Sequence, residues 1–263
     1  MPEERGKREM IQCVVCIRPL SDSVPVRADQ KEGKLTAPSA PGAMNPDDKA
    51  AVEAALRLRE AGGGTVTVLC AGPETAEEIL REALAMGCDE AVRAEVPFPD
   101  GTFAGAAASA LKDALENRSW DLVLMGGQAI DSDVAQTPAL LAEALSLPQL
   151  TQAQTLSLSG GRVRAQCPFD GREVLLEAPL PCLATVTDKV AAPRYATFAG
   201  IREAYGKPLR RLEDKREAAG KGALRVKTVV NRQRGRKGEI LRDLSPQAAA
   251  DQLLSFIRGG GLL

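Results

Sequence analysis

The densest group of residues able to do chemistry is the run from Gly126 to Thr137, GGQAIDSDVAQT. Gly126 and Gly127 let a backbone approach a ligand closely. Thr137 can cap a helix beginning at Pro138, and the exposed N–H groups and positive end of such a helix suit a phosphate. Asp131 and Asp133 oppose that use, since carboxylates repel phosphate; hydrogen bonds to turn amides or to a ribose hydroxyl would occupy them instead. Paired carboxylates can also do acid–base work. Two acids so close in one loop are nevertheless a common turn composition, and a plain strand-to-helix turn accounts for the run equally well. A second candidate is Cys13 and Cys16, whose C-x-x-C spacing serves metal and redox sites. The remaining cysteines, at 70, 88, 167 and 182, supply no second close pair. The surrounding Ile11–Ile17 reads as a buried strand, so both thiols are expected to pack inside or beside a sheet. Histidine is absent, which removes Ser–His–Asp triads, Cys–His pairs and His-ligated zinc. Neither G-x-G-x-x-G nor G-x-x-x-x-G-K-[ST] occurs, so dinucleotide-fingerprint and P-loop readings lose their main support.

Composition narrows the classes further. The 263 residues are 44% hydrophobic, enough for a sizeable core, and 34 Lys and Arg balance 35 Asp and Glu to a net charge of −1. That balance predicts neither a nucleic-acid binder nor a membrane-surface protein. The eight aromatics, 3% of the chain, are too few for base-stacking platforms, so any ring ligand must be held by backbone and small side chains. The charged start MPEERGKREM lacks the apolar stretch of a secretory signal, and no apolar run approaches a membrane span. The expected setting is a reduced cytoplasm.

Periodicity assigns these residues to successive elements. Residues 1–10 read as a disordered lead-in and 11–17 as a strand covered on both faces. Residues 18–44 carry four prolines and read as irregular. Asn45 as N-cap, Pro46 at the first helical position and the acids Asp47 and Asp48 start a helix that Gly62, Gly63 and Gly64 stop. A strand at Thr65–Cys70 comes next. Thr75 and Glu78 have capping-box spacing for a helix ending near Gly87. A strand at Ala91–Ala94, a helix at Phe103–Leu115, a strand at Asp121–Met125 and a helix at Pro138–Leu145 complete the alternation. Strand–helix alternation predicts right-handed βαβ units and an α/β fold with an open, mostly parallel, Rossmann-like sheet flanked by helices. Thr151–Leu158, Val163–Cys167, Glu173–Glu177 and Leu183–Thr187 then read as shorter strands, some of them antiparallel additions. From 207 the chain reads as an extended basic arm. Ser245 caps a last helix with Ala248, Ala249, Leu253, Leu254 and Ile257 as its apolar side, to be covered by a partner subunit or by its own domain.

Four blocks carry a resemblance. Met44-Asn45-Pro46 with Ala51-Val52-Glu53 and Ala55-Leu56-Arg57-Leu58 is the first. Gly72-Pro73-Glu74 with Leu80-Arg81-Glu82-Ala83-Leu84-Ala85-Met86-Gly87-Cys88-Asp89 is the second. Gly127-Gln128-Ala129-Ile130-Asp131 with Asp133 and Gln136 is the third, and Pro193-Arg194-Tyr195-Ala196-Thr197 the fourth. In this order and spacing, over residues 11 to about 208, they resemble the electron transfer flavoprotein beta subunit. The resemblance implies a heterodimer whose alpha subunit holds the redox-active FAD, while the beta subunit binds a second nucleotide. That nucleotide is AMP in ordinary members and a second FAD in electron-bifurcating ones. Carried over, Cys16, Asn45, Ala71, Asp131, Val134, Ala135, Gln136 and Thr137 would line its pocket, with Cys16 and Ala71 contributing mainly backbone. Ala135 stands where AMP-type members carry Asn, which favours FAD, although Val134 lacks the Thr hydroxyl of bifurcating members.

The resemblance also divides the chain into a nucleotide-binding α/β domain at 11–190, a partner-recognition loop at 191–206, and an arm and helix at 207–263 that embrace the alpha subunit. Ala191-Ala192 depart from the family's Asn-Glu before Pro193. Phe198 takes the family's anchor position toward an acyl-CoA-type or other flavin dehydrogenase, whereas Tyr195 and Ile201 are expected to pack on their own domain. The chain would be an electron carrier and not an enzyme in its own right, with any nicotinamide-oxidising bifurcation belonging to the complex. Two other classes stay open on the residues alone. One is a stand-alone adenine-nucleotide-binding regulatory module; the other is an enzyme using Asp131 and Asp133.

Overall fold

The computed structural model describes residues 10–20, 27–29, 34–36, 43–96, 103–116, 118–130, 135–213, 242 and 244–259. The chain divides into two compact units, Met1–Val229 and Val230–Leu263. The first is built on β1 (Ile11–Ile17), in which only Gln12 is exposed. Its residues alternate between two cores: Cys13, Val15 and Ile17 join one, Val14 and Cys16 the other. A strand buried on both faces belongs in the middle of a parallel sheet. β1 does lie there, paired in parallel with β4 (Gly64–Gly72) on one side and with β6 (Leu122–Gly126) on the other.

Beyond β4 come β5 (Glu90–Glu95) and then β12 (Leu209–Leu212); beyond β6 come β11 (Cys182–Val186) and then β7 (Gln149–Ala153). All six pairings in this seven-stranded sheet are parallel. Helices α1 (Pro46–Gly62) and α2 (Glu77–Met86) cover one face, with Leu56, Leu80 and Leu84 fully buried. Helices α3 (Phe103–Glu116) and α4 (Gln136–Ala144) cover the other through Leu111, Leu115 and Leu141. Each such leucine contributes roughly 2–3 kcal/mol of burial. Ala50, Ala51, Ala54 and Ala55 are buried on α1, so small side chains bring that helix close to the sheet.

The expected fold class holds, with local differences. Thr151–Leu158 is two strands, β7 and β8 (Thr155–Ser159), which enter different sheets. Gln152 adopts φ 61°, and the register of β11 against β7 shifts between Ala184 and Val186. Such irregularities bend a strand out of its ladder, and here the chain turns into an antiparallel meander of β8, β9 (Arg162–Phe169) and β10 (Arg172–Pro179). Within 18–44, β2 (Arg27–Asp29) and β3 (Lys34–Thr36) pair antiparallel, and a bridge between Pro19 and Met44 closes the excursion.

The capping box at Thr75 does not form. A 3-10 turn at Glu74–Ala76 leads into α2, whose N-cap is Ala76 without a side-chain cap. Likewise α4 starts two residues before Pro138, with Ala135 at the N-cap and no side-chain cap, so Thr137 lies within the first turn. Residues 209–212, expected to lie in the arm, extend the sheet as β12. In the second unit, α6 (Pro246–Gly259) is capped by Ser245, whose hydroxyl accepts from the Ala248 N–H at 3.3 Å. Its Leu253, Leu254 and Phe256 are exposed. Among the described residues no helix is long and apolar enough to cross a membrane.

Candidate functional site

Strand order reverses at β1. The chain adds β4 and β5 on one side and then returns to place β6 on the other. The crevice beyond the carboxyl ends of the strands at such a reversal is where open α/β sheets hold ligands. A cleft open to solvent lies there. Cys16, Ile17 and Arg18 reach it from the end of β1, Ala71 from β4, and Met125, Gly126 and Gly127 from β6. Asp48 of α1, Ala107 and Leu111 of α3, and Thr137 and Pro138 of α4 complete the lining.

Asp48 organises this mouth. Its carboxylate accepts from the Gly126 N–H at 2.8 Å and from the Arg18 N–H at 3.0 Å, so one side chain joins the ends of β6 and β1. The Arg18 guanidinium stands 3.9 Å away. Burial raises the Asp48 pKa to about 6; the Arg18 charge, the two N–H donors and the Asn45 amide pull it back. Only glycine fits at 126, because a Cβ there would lie 2.3 Å from Asp48 Oδ1 and 2.9 Å from the Asp48 nitrogen. The N–H of Gly127 is spent on the Val186 carbonyl at 2.8 Å. The two glycines therefore serve close packing of protein on protein and leave ligand contact to other donors.

Asn45 is wholly buried. It sits at the N-cap of α1 but does not cap it; its Nδ2 donates to the Gln128 carbonyl at 2.9 Å. Its Oδ1 has no partner within the protein. Asn45, expected to line the pocket, is not among the residues lining the cleft. The first turn of α4 carries no acid, and the positive end of a helix suits an anion. An apolar slot of Ile17, Ala71, Leu111 and Met125, bordered by Arg18, Thr137 and a helix start, could take a flat apolar group beside an anion.

Of the residues expected at the site, Cys16, Ala71 and Thr137 line the cleft. Ala135 and Gln136 are exposed at the start of α4. Asp131, Asp133 and Val134 lie outside the described residues. Arg18 and Asp48 were missed. An acid in a first helical turn ordinarily signals only the helix dipole, and nothing in the residue pattern marks this one as buried. The C-x-x-C pair does not converge: Cys13 and Cys16 belong to opposite faces of β1. Burial raises both thiol pKa values, that of Cys13 to about 12, and all six cysteines are free.

A second exposed feature is the segment from Pro193 to β12. Thr197 caps α5 (Phe198–Ala204) by accepting from the Gly200 N–H at 3.0 Å. Phe198 is 86% exposed. Tyr195 and Ile201, expected to pack on their own domain, are 93% and 47% exposed. Of α5, Ala204 is buried in the core, while these side chains are left exposed.

An electron transfer flavoprotein domain model matches residues 34–217. The electron transfer flavoprotein beta subunit of Thermoanaerobacterium thermosaccharolyticum is 39% identical over 198 residues, 74% of this chain and 75% of its own. The chain belongs to the electron transfer flavoprotein beta-subunit family. The beta-subunit relative from Clostridium acetobutylicum is 33% identical over 90% of this chain and 94% of its own. The acryloyl-CoA reductase electron transfer subunit gamma of Anaerotignum propionicum is 36% identical over 74% of each. Membership in this beta-subunit family supports electron transfer as the function.

Proposed function

We propose that the chain is the beta subunit of a heterodimer with an electron transfer flavoprotein alpha subunit, and that its switch-point cleft holds a second nucleotide, FAD. The observation that carries this is the cleft itself: an apolar slot at the reversal of strand order, bordered by a helix start without acids and by Arg18. In it, Cys16 and Ala71 present backbone and little bulk to a flat ring. Asp48 fixes the spacing of β1 and β6. The first turn of α4, with Thr137, receives phosphate. Ala135 carries no polar side chain at the entry to α4, which leaves room for a diphosphate where an Asn would intrude. A flavin bound there supplies the redox chemistry, including acceptance of a hydride from a reduced nicotinamide; the protein supplies position and electrostatics.

Phe198 is the anchor for an acyl-CoA-type or other flavin dehydrogenase or reductase, and residues 214–263 embrace the alpha subunit. A relative named as the electron-transfer subunit of a CoA-thioester reductase supports a partner of that class. Six free cysteines suit the cytoplasm.

The test is co-expression with the alpha subunit, acid extraction and chromatography. Two FAD per heterodimer is expected, falling toward one in Ala135→Asn. One FAD and one AMP would remove the bifurcating reading and leave an ordinary carrier; no nucleotide in either subunit would remove both.

A further inference from the structure

The segment beginning at Ala192 is fastened to α1 by an ion-pair cluster. The Arg194 guanidinium grips two carboxylates. Its Nε and Nη2 reach Glu53 at 2.7 and 3.2 Å, and its Nη1 and Nη2 reach Glu60 at 2.6 and 3.1 Å. The Arg194 N–H also donates to Glu53 at 3.2 Å. Glu53 is buried and takes a second cation from the same helix, Arg57, at 2.7 Å; Arg57 in turn donates to the Ala192 carbonyl at 3.2 Å. These contacts fix residues 192–194 through both main chain and side chain. Hydrogen bonds from Arg194 hold the carboxyls of Glu53 and Glu60 below the usual range.

Immediately beyond the clamp stands the outward group of Tyr195, Phe198 and Ile201. The far end of α5 is secured separately: Arg81 donates to the carbonyls of Ala204 and Lys207, and Lys207 donates to those of Leu84 and Cys88. A Cβ on Gly200 would lie 2.5 Å from the Ala85 carbonyl, so α5 rests directly on the end of α2. The clamp thus supports the chain entering α5 from the side of α1, while Gly200 rests on the end of α2.

We propose that Arg194 is a positioning residue for partner docking: gripping Glu53 and Glu60, it holds the chain entering α5 so that Phe198 meets an apolar pocket of the redox partner already in place. This rests on the docking role given to Phe198 above. Presenting an anchor on an ordered segment removes the ordering cost at the moment of binding. Losing the clamp therefore weakens encounter with the partner and leaves electron transfer within the bound complex unchanged.

The experiment uses the intact heterodimer and an acyl-CoA dehydrogenase that it reduces. KM for that protein and kcat are compared for wild type, Arg194→Gln, Arg194→Lys, Phe198→Ala and the Arg194→Gln/Phe198→Ala double variant. Arg194→Gln should raise KM roughly tenfold at constant kcat and flavin content, and should speed amide exchange at 195–198. Arg194→Lys, which keeps charge but not the fork, should fall between. The double variant should be no worse than Phe198→Ala alone, because the clamp acts through the anchor. If Phe198→Ala raises KM and Arg194→Gln does not, or if the two effects add, the positioning role is overturned and the docking reading stands. If Phe198→Ala leaves KM unchanged, both fall. Should Arg194→Gln fail to fold, Glu60→Gln, which removes only the exposed half of the clamp, takes its place in the same comparison.

Discussion

The cleft and the docking segment solve the problem of holding a working part still in opposite ways. The cleft is shaped by burial: glycine and alanine let strands and helices close on one another, and a single buried carboxylate ties two strand ends together. The segment from Arg194 to Arg211 is held by ions near the surface, with Arg194 on Glu53 and Glu60, Arg210 on Glu90, and Arg211 on Glu77. Exposed pairs are weakened by salt, whereas buried contacts are screened far less. The two working parts can therefore be perturbed independently, and substitutions that cross the divide would disprove it.

The largest effect is expected from Gly126→Ala. The added Cβ meets both the side chain and the main chain of Asp48, and overpacking of this kind costs about 3 kcal/mol. A lower urea midpoint and loss of nucleotide from the cleft are expected, with partner KM unchanged for the molecules that fold. A variant melting like wild type would show that the close approach is not what requires glycine.

Next is the pH dependence of Asp48. Its pKa in the folded chain is raised from 3.8 to about 6, so its protonated form favours folding. Its contribution is complete below about pH 4 and is lost as pH rises to about 6, a change of up to about 3 kcal/mol. Glu53, Glu60 and Glu77 are shifted the other way, so their contribution is present at neutral pH and is lost on acidification. Stability curves of wild type and Asp48→Asn should thus diverge between pH 4 and 6 and run parallel above. Parallel curves throughout would mean that Asp48 is not the buried acid described.

Phe198→Ala should have the smallest effect on folding and a clear one on docking. A side chain 86% exposed contributes little to stability, within about 0.5 kcal/mol. Removing an anchor costs about 2 kcal/mol of affinity, or roughly 30-fold. Thermal melting beside partner titration separates the two.

The fold was legible because its signals are local and repeated: the apolar run at 11–17, the Asn45-Pro46 helix start and the later shortening of strands each fix an element. The site was legible in part. Cys16, Ala71 and Thr137, which the family resemblance implies, line the cleft. Asp48 was not legible, because an acid at a helix N-terminus reads alike whether it meets water or the end of a neighbouring strand. The clamp was hidden for a similar reason: Glu53, Arg57 and Glu60 look like the solvated face of a helix until residues 192–194 arrive across it. Thr137 and Thr75 show the converse, capping signals that packing overrode.

The placement of β1 has a consequence for synthesis on the ribosome. Cys13 partners Val66 on one side and Leu122 on the other, so this apolar strand leaves the exit tunnel well before either neighbour exists. The nascent chain must carry β1 with both edges unpaired until β4 is made, and with one edge unpaired until β6 is made. During that interval it is a target for chaperones and for self-association, and slowing translation between residues 72 and 122 should lengthen that exposure.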